Sequence, residues 1–169
     1  MHQLNDRRSR REAVGPMEVT EEFDFLSPVL AQATTYWREI KGTARFPQRA
    51  DLVPEQFVAL WPHILMVDVI DGGADYFVRL FGQHLVNAYG EQTGRKASEA
   101  TVPEVVRERS KKLFDFCVAH AAPTYAYWPE IGSERRPFID VEALCLPLSS
   151  DGVTLDRLMS LNVNTRREP

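Results

Sequence analysis

The chain has 169 residues, which is enough for one domain with terminal extensions and too few for two full domains. Apolar residues make up 44% of it and charged residues 26%, so a sizeable core can form. The formal net charge is −4, which argues against a nucleic-acid partner because such partners select basic surfaces. Residues 1–16 hold four arginines against Asp6 and Glu12 and carry +2, which leaves −6 for the rest.

Cysteine usage and the N-terminal segment indicate where the chain works. Cys117 and Cys145 stand far apart without a second pair, so neither a disulfide framework nor a zinc site is predicted, and both are expected in the core. No apolar run is long enough for a signal peptide or a membrane span. The sequence therefore predicts a cytoplasmic protein with no membrane partner and a disordered, arginine-rich tail over residues 1–22.

The first predicted helix follows this tail. Ser27 and Pro28 form a helix start with a capping hydroxyl, and Gly42 can adopt the left-handed conformation that ends a helix. Between them, apolar side chains recur at steps of three and four and predict a partner or dimer surface, with packing onto a sheet as the alternative. The residues of this stripe are Val29, Ala33, Tyr36, Trp37 and Ile40.

A proline-rich connector leads from this helix to two predicted strands. Residues 63–71 and 74–82 are rich in β-branched and aromatic residues and flank a glycine pair, which predicts a hairpin. Alternation along the second strand places Tyr76, Val78 and Leu80 on one face. The other face carries Arg79 among aromatic residues. A structural ion pair with Asp51 or Asp68 is the favoured interpretation of this arginine, ahead of an anion site.

The second half predicts short helices over residues 84–100, one long helix and three strands. Thr101 and Glu104 have capping-box spacing, and Pro123 stops the long helix. Its apolar stripe runs through Val102, Val106, Leu113, Cys117 and Ala121, and its opposite face carries Arg107, Arg109, Lys111 and Lys112. The three strands cover residues 124–131, 137–148 and 153–163. Hairpin-connected strands around a block of helices favour an antiparallel sheet in an α+β domain.

These patterns divide the chain into four parts. We predict a tail over residues 1–22, an N-terminal helix and connector over 23–62, a core domain over 63–163, and a C-terminal tail over 164–169.

Several residues stand in a distinctive order: Tyr36-Trp37, Gly42, Pro47, Arg49, Asp51, Pro54, Pro62, Asp68, Arg79, Tyr89-Gly90 and Thr93-Gly94-Arg95. With the order of elements, they resemble the PAS domain family, in particular its small stand-alone bacterial members. The resemblance covers residues 27–163. It implies a five-stranded antiparallel sheet with a helical block between strands 2 and 3 and an extra N-terminal helix.

In function, the resemblance implies a sensory or adaptor domain in bacterial signal transduction that performs no catalysis. Its expected partners are a small-molecule ligand, a second copy of the chain in a homodimer and a separate signalling protein. The resemblance names no cofactor. The helical block lacks the cysteine that a flavin-binding photosensor needs, and no two histidines have the spacing that would place both on one helix face around a metal.

A ligand pocket is expected between the sheet and the helices. Its candidate polar lining residues are His84, Asn87, Tyr89, Tyr127 and Asn162. His84 opens the short helix that faces this pocket, so it is a candidate haem or ligand contact, and a helix-start residue bonded to the backbone is the favoured alternative.

The alternative function is a small α+β enzyme or ligand carrier with a cavity between sheet and helices. Asp140 and Glu142 on the fourth predicted strand are its candidate acids, since a buried acid with a raised pKa would indicate catalysis. Exposure at a strand end is the favoured expectation for both carboxyls. A closed apolar interior would instead favour an interaction module with no ligand.

Overall fold

The computed structural model describes residues 18–20, 23, 27–128 and 139–166. Over these ranges the chain forms three α-helices, α1 (Pro28–Lys41), α2 (Gln83–Tyr89) and α3 (Glu104–His120). It also forms strands β1 (Glu18–Thr20), β2 (Ile64–Ile70), β3 (Asp75–Phe81), β4 (Thr124–Trp128), β5 (Ile139–Ser149) and β6 (Leu155–Arg166). Short 3-10 helices cover Arg49–Asp51, Pro54–Gln56, Val58–His63 and Ala97–Glu99.

All six strands join one antiparallel sheet in the order β1-β4-β5-β6-β2-β3. Hairpins connect β2 to β3 and β5 to β6, and the last strand returns to lie beside β2, with Ile64 opposite Leu161. The α+β class, the antiparallel sheet and the helical block between the second and third core strands are therefore confirmed.

The sheet extends beyond the predicted boundaries at both ends of the described chain, and it has six strands where five are predicted. Glu18–Thr20 fall within the predicted disordered tail, yet they pair with β4, placing Val19 opposite Ala126. An open sheet edge offers unpaired backbone groups, so three residues can join it without an apolar pattern of their own. β6 likewise continues through Arg166, past the predicted limit of residue 163. Residues 1–17 and 21–22 of the predicted tail lie outside the described residues, as do residues 129–138.

The helix α1 covers one face of the sheet, which we call the outer face. Leu30, Ala33 and Trp37 are buried there with the leucines of β5, and the indole nitrogen of Trp37 donates a hydrogen bond to the Pro147 carbonyl at 2.8 Å. The predicted dimer surface is wrong for Ala33 and Trp37, which are only 1% and 5% exposed. The apolar outer face of the sheet packs against this stripe within the same chain, which leaves these two side chains little surface for a partner.

The rest of the predicted stripe lies at the margin of this packing. Val29, Tyr36 and Ile40 are partly buried against the same cluster. The hydroxyl oxygen of Tyr36 accepts a hydrogen bond from the backbone N–H of Val53 at 2.8 Å, which ties the connector to the helix.

The helical block covers the opposite face, which we call the inner face. Leu113, Phe114 and Cys117 of α3 are buried against it, together with Cys145 of β5. Both cysteines are fully buried, as expected from the sequence.

A β-bulge in β3 changes which side chains face which layer. Met66 pairs with Leu80 but Val67 pairs with Val78, so Arg79 is an extra residue in the ladder. Beyond it the alternation is reset, and Leu80 joins the outer-face cluster while Phe81 joins the inner one. The predicted grouping of Leu80 with Tyr76 and Val78 is therefore wrong.

The ion pair around Arg79 involves one of its two candidate partners. The Nε of Arg79 contacts Asp68, and the Nε of Arg157 contacts the other oxygen of the same carboxylate at 2.8 Å. The guanidinium also lies 4.7 Å from the centre of the Phe77 ring. Asp51 has a different role, because it accepts a hydrogen bond from the backbone N–H of Gln48 at 2.7 Å.

Two predicted helix caps differ from the structure. Ser27 precedes α1 without a capping side-chain hydrogen bond, and α3 begins after Pro103, not at a capping box on Thr101. The Thr101 N–H donates instead to the side-chain oxygen of Gln92 at 3.0 Å, and Gln92 Nε2 donates to the Thr101 hydroxyl at 3.0 Å. Gln92 is buried and its side-chain amide needs hydrogen-bond partners. Thr101 therefore hydrogen-bonds to Gln92 and does not cap α3.

Candidate functional site

A cavity of about 200 Å3 lies between the inner face of the sheet and the helical block. Its walls are mainly apolar, with Leu65, Val67 and Val78 contributed by the sheet, and Val106 and Phe114 by α3. The sheet and helices do not close completely over each other, which differs from the closed apolar interior expected of an interaction module with no ligand. A concave, mainly apolar space with a few polar groups is the usual form of a small-molecule site.

The structure brings three of the five predicted pocket residues to this cavity. His84, Tyr89 and Asn162 line it. Asn87 lies exposed on α2, where its side-chain oxygen accepts a hydrogen bond from Gln83 at 2.8 Å. Tyr127 points to the outer face, where its hydroxyl donates to Asp140 at 2.6 Å.

The next residue of β4 takes the place predicted for Tyr127. Alternation along the strand sends Trp128 to the inner face, where it lines the cavity and is only 4% exposed. The polar hydroxyl of tyrosine made Tyr127 the predicted pocket residue, whereas the large apolar ring of Trp128 is typical of a core residue. The structure places Trp128, and not Tyr127, in the cavity lining.

Arg109 and Trp128 form the polar end of the cavity. The Cζ of Arg109 lies 5.6 Å from the centre of the Trp128 ring. The Nη1 of Arg109 and the indole nitrogen of Trp128 are both buried, and neither finds a hydrogen-bond acceptor within the described part of the chain. A buried donor without an acceptor costs about 1 to 3 kcal/mol, so each such atom calls for a partner that the described residues do not supply.

The sequence carried a signal for Arg109 that its charge obscured. The arginine was grouped with the solvent face of α3, yet it stands three residues after Val106 and four before Leu113. That spacing fills a gap in the apolar stripe of the helix, which faces the sheet. A lone arginine on the buried stripe of a helix is therefore the pattern that could have predicted this site.

Burial also changes the acid–base properties at this end of the cavity. Desolvation lowers the pKa of Arg109, and the neighbouring Tyr89 opposes that change. Desolvation raises the pKa of Tyr89, whereas the charge of Arg109 lowers it. The two groups are thus close enough to interact, and the phenol is a further neutral hydrogen-bonding group beside the guanidinium.

Two histidines lie at the opening of the cavity. The ring centroids of His63 and His84 are 4.4 Å apart, and His63 Nδ1 lies 3.2 Å from the carbonyl oxygen of Asn162. His84 is exposed while it lines the cavity, which places the pair at the entrance. Burial, and then the charge of His84, lower the pKa of His63, whereas its hydrogen bond raises it.

Gly82 brings these histidines together. A Cβ on Gly82 would lie 2.5 Å from the carbonyl oxygen of Pro62, so only glycine lets the start of α2 approach the Val58–His63 turn this closely. The Gly82 N–H also donates to the Ile64 carbonyl at 2.8 Å. This close approach brings the His84 ring against His63. Within the described chain, no hydrogen bond from the His84 ring to the backbone supports the alternative of a helix-start residue.

Asp140 and Glu142 are buried but do not line the cavity. Both are 0% exposed, so the expectation that they lie at an exposed strand end is wrong. They lie on the outer face of β5, where the Tyr127 hydroxyl binds Asp140 and the Tyr125 hydroxyl donates to Glu142 at 2.7 Å. A hydroxyl partner makes burial of a carboxyl tolerable, which the strand pattern could not reveal.

The described residues contain no group of three or more His, Cys, Asp or Glu side chains arranged to hold a metal ion. None of the helices they form is long and apolar enough to cross a membrane.

A family model described as PAS domain matches residues 26–162, which is most of the chain. The chain therefore belongs to the PAS domain family, and the resemblance seen in the sequence is confirmed. PAS domains are in general non-catalytic sensory domains. No curated protein and no solved structure matches the chain.

Proposed function

We propose that this chain is a sensory domain of bacterial signal transduction that binds a small ligand in the cavity between its sheet and helical block. The observation that carries the proposal is the cavity itself, which is mainly apolar. Two of its lining residues have buried donors that find no acceptor among the described residues. Membership of the PAS domain family supports the same reading.

The position of the cavity suggests how binding becomes a signal. Its lining includes side chains of β2, α2 and α3, so one ligand touches both layers at once. A ligand that binds only the packed arrangement stabilises it by mass action, which shifts the population of any looser state. We propose that a separate signalling protein responds to this shift in the cytoplasm.

We still propose a homodimer, but through fewer residues of α1 than the five predicted from the sequence. Ala33 and Trp37 are used within the chain, whereas Val29, Tyr36 and Ile40 keep part of their surface accessible along α1. A partner copy would have to contact this margin of the helix.

A ligand carrier would use the same cavity and is the second candidate. The enzyme alternative has less support, because Asp140 and Glu142 lie on the outer face and are not among the described lining residues. We propose that the domain binds its ligand without transforming it.

Native mass spectrometry of the full chain purified from its own host tests ligand binding. Val106→Phe places a ring in the cavity, and Val105→Phe adds the same ring on the exposed side of α3, where Val105 is 45% exposed. We expect a non-covalent adduct on the wild type and on Val105→Phe, and none on Val106→Phe. A bare wild-type chain, or an adduct that persists in Val106→Phe, would contradict a ligand site in this cavity.

A further inference from the structure

At the polar end of the cavity, two buried hydrogen-bond donors are unpaired within the described part of the chain. Arg109 Nη1 and Trp128 Nε1 are both buried and are without an acceptor among the described residues, although backbone carbonyls elsewhere satisfy comparable groups such as Trp37 Nε1. Buried polar atoms are paired in the great majority of cases. Two donors at one end of one cavity therefore call for an acceptor that is not part of the described chain.

The charge of the cavity defines the kind of acceptor. The described lining residues include Arg107 and Arg109 but no aspartate or glutamate, although the chain as a whole carries a net charge of −4. A partly buried guanidinium with no counter-ion is costly, and a water molecule bound there would bring no charge. An anionic group supplies acceptor oxygens for such donors and compensates the charge of Arg109.

The size and walls of the cavity define the rest of the molecule. An apolar cavity of about 150 Å3 holds benzene, so the cavity of about 200 Å3 has room for one ring or a short chain with a small polar head. The valine, leucine and phenylalanine walls stabilise an apolar body by burial. An inorganic anion would leave these walls unfilled.

We infer that the cavity binds a small organic carboxylate, whose apolar part fills the space between sheet and helices and whose carboxylate accepts hydrogen bonds from Arg109 and Trp128. This inference rests on the proposed function of the cavity as a ligand site. It adds the chemical class of the ligand, a monoanion with one apolar ring or a short apolar chain.

Isothermal titration calorimetry of the full chain at pH 7 with benzoate and with benzamide tests the inference. The two probes share the ring and differ in charge. We expect benzoate to bind the wild type more tightly than benzamide. Arg109→Met keeps an apolar stem but removes the charge, and we expect it to weaken benzoate roughly 10- to 100-fold, as loss of a charge-assisted hydrogen bond does. The affinity for benzamide should fall much less, because its neutral oxygen makes a weaker hydrogen bond with the guanidinium.

Two further variants sharpen the result. Lys112→Met removes a positive charge from the exposed surface of the same helix, and we expect unchanged benzoate affinity. Trp128→Phe keeps an aromatic ring but removes the indole N–H, and we expect weaker benzoate binding with a smaller loss than for Arg109→Met. Thermal melts of each variant confirm that the fold is kept.

Four results would overturn the inference. These are no benzoate binding, equal affinity for benzamide, an unchanged benzoate affinity in Arg109→Met, or an equal loss in Lys112→Met, which would indicate general attraction to a basic surface. The native adduct then separates this failure from failure of the proposed function. A neutral adduct that Val106→Phe abolishes would leave the sensory function standing, whereas no adduct and no probe binding would remove both.

Discussion

The two faces of the sheet are built from the same strands but satisfy their polar groups differently. On the outer face, Trp37 donates to the Pro147 carbonyl, and Tyr127 donates to Asp140. On the inner face, Trp128 and Arg109 each have a buried donor beside the cavity, and neither donor finds an acceptor among the described residues. The outer face has the properties of a structural core, and the inner face holds the cavity that we propose as a binding site. In this fold, pairing of polar atoms separates the two roles better than burial does.

The largest expected effect is on the outer face. Trp37→Ala removes a large buried side chain and its hydrogen bond to β5, and we expect it to lower the free energy of unfolding by about 3 to 5 kcal/mol. Urea denaturation followed by circular dichroism measures this loss. Exposed Val58 offers the matched control, since Val58→Ala should change stability by less than about 0.5 kcal/mol. Near-wild-type stability of Trp37→Ala would contradict the role of α1 as a structural cover.

The next effect compares neighbouring aromatic residues on opposite faces. Tyr127→Phe removes the hydroxyl that binds the buried Asp140, and we expect a loss of about 1 to 3 kcal/mol. Trp128→Phe removes a donor that has no described acceptor, so in the ligand-free chain its effect on polar pairing should be near zero. Denaturation of both variants measures the difference. A loss below about 1 kcal/mol for Tyr127→Phe would contradict the structural role of its pair with Asp140, whereas any loss for Trp128→Phe also contains the cost of the missing ring volume.

The smallest effect concerns pH and the histidines at the opening. The folded pKa of His63 lies below its ordinary value of 6.5, so the unfolded chain binds the proton more readily. The stability that His63 contributes is complete above about pH 6.5. It is lost as the pH falls from there through the lowered folded pKa.

Denaturation between pH 5 and 8 measures this slope. We expect His63→Gln to be less sensitive to acid than the wild type, with His120→Gln as the control, because His120 is exposed at the end of α3 and outside the cavity. Identical pH dependence in His63→Gln and the wild type would contradict the depressed pKa.

Local patterns predicted the fold well because most strands and helices of this chain follow their own periodicity. The hairpin of β2 and β3, the long α3 and the two long C-terminal strands are visible as runs of β-branched residues or apolar stripes. The bulge at Arg79 was not visible, because nothing in a run of alternating residues shows where one of them leaves the ladder. β1 was also missed, since its pairing depends on an edge that only the folded sheet provides.

The candidate site was predicted only in part, for a related reason. His84, Tyr89 and Asn162 line the cavity, which the order of elements alone could indicate. Tyr127 and Trp128 differ by one residue in a strand buried on both faces. Without a polar face to fix the alternation, the sequence could not decide which neighbour points inward. Thr101 was misread because Gln92, its actual partner, comes close only in the folded chain.

The pairing of β2 with β6 also determines when the molecule can be completed. Ile64 lies opposite Leu161, so the middle of the sheet joins segments from opposite ends of the domain. During synthesis, the hairpin of β2 and β3 emerges before β6, so the edge of β2 has no partner strand until Leu155–Arg166 have been made. Contacts so distant in sequence slow folding, because a long loop must close before they form. The cavity, which lies over this junction, therefore cannot form on the ribosome before β6 has been synthesised.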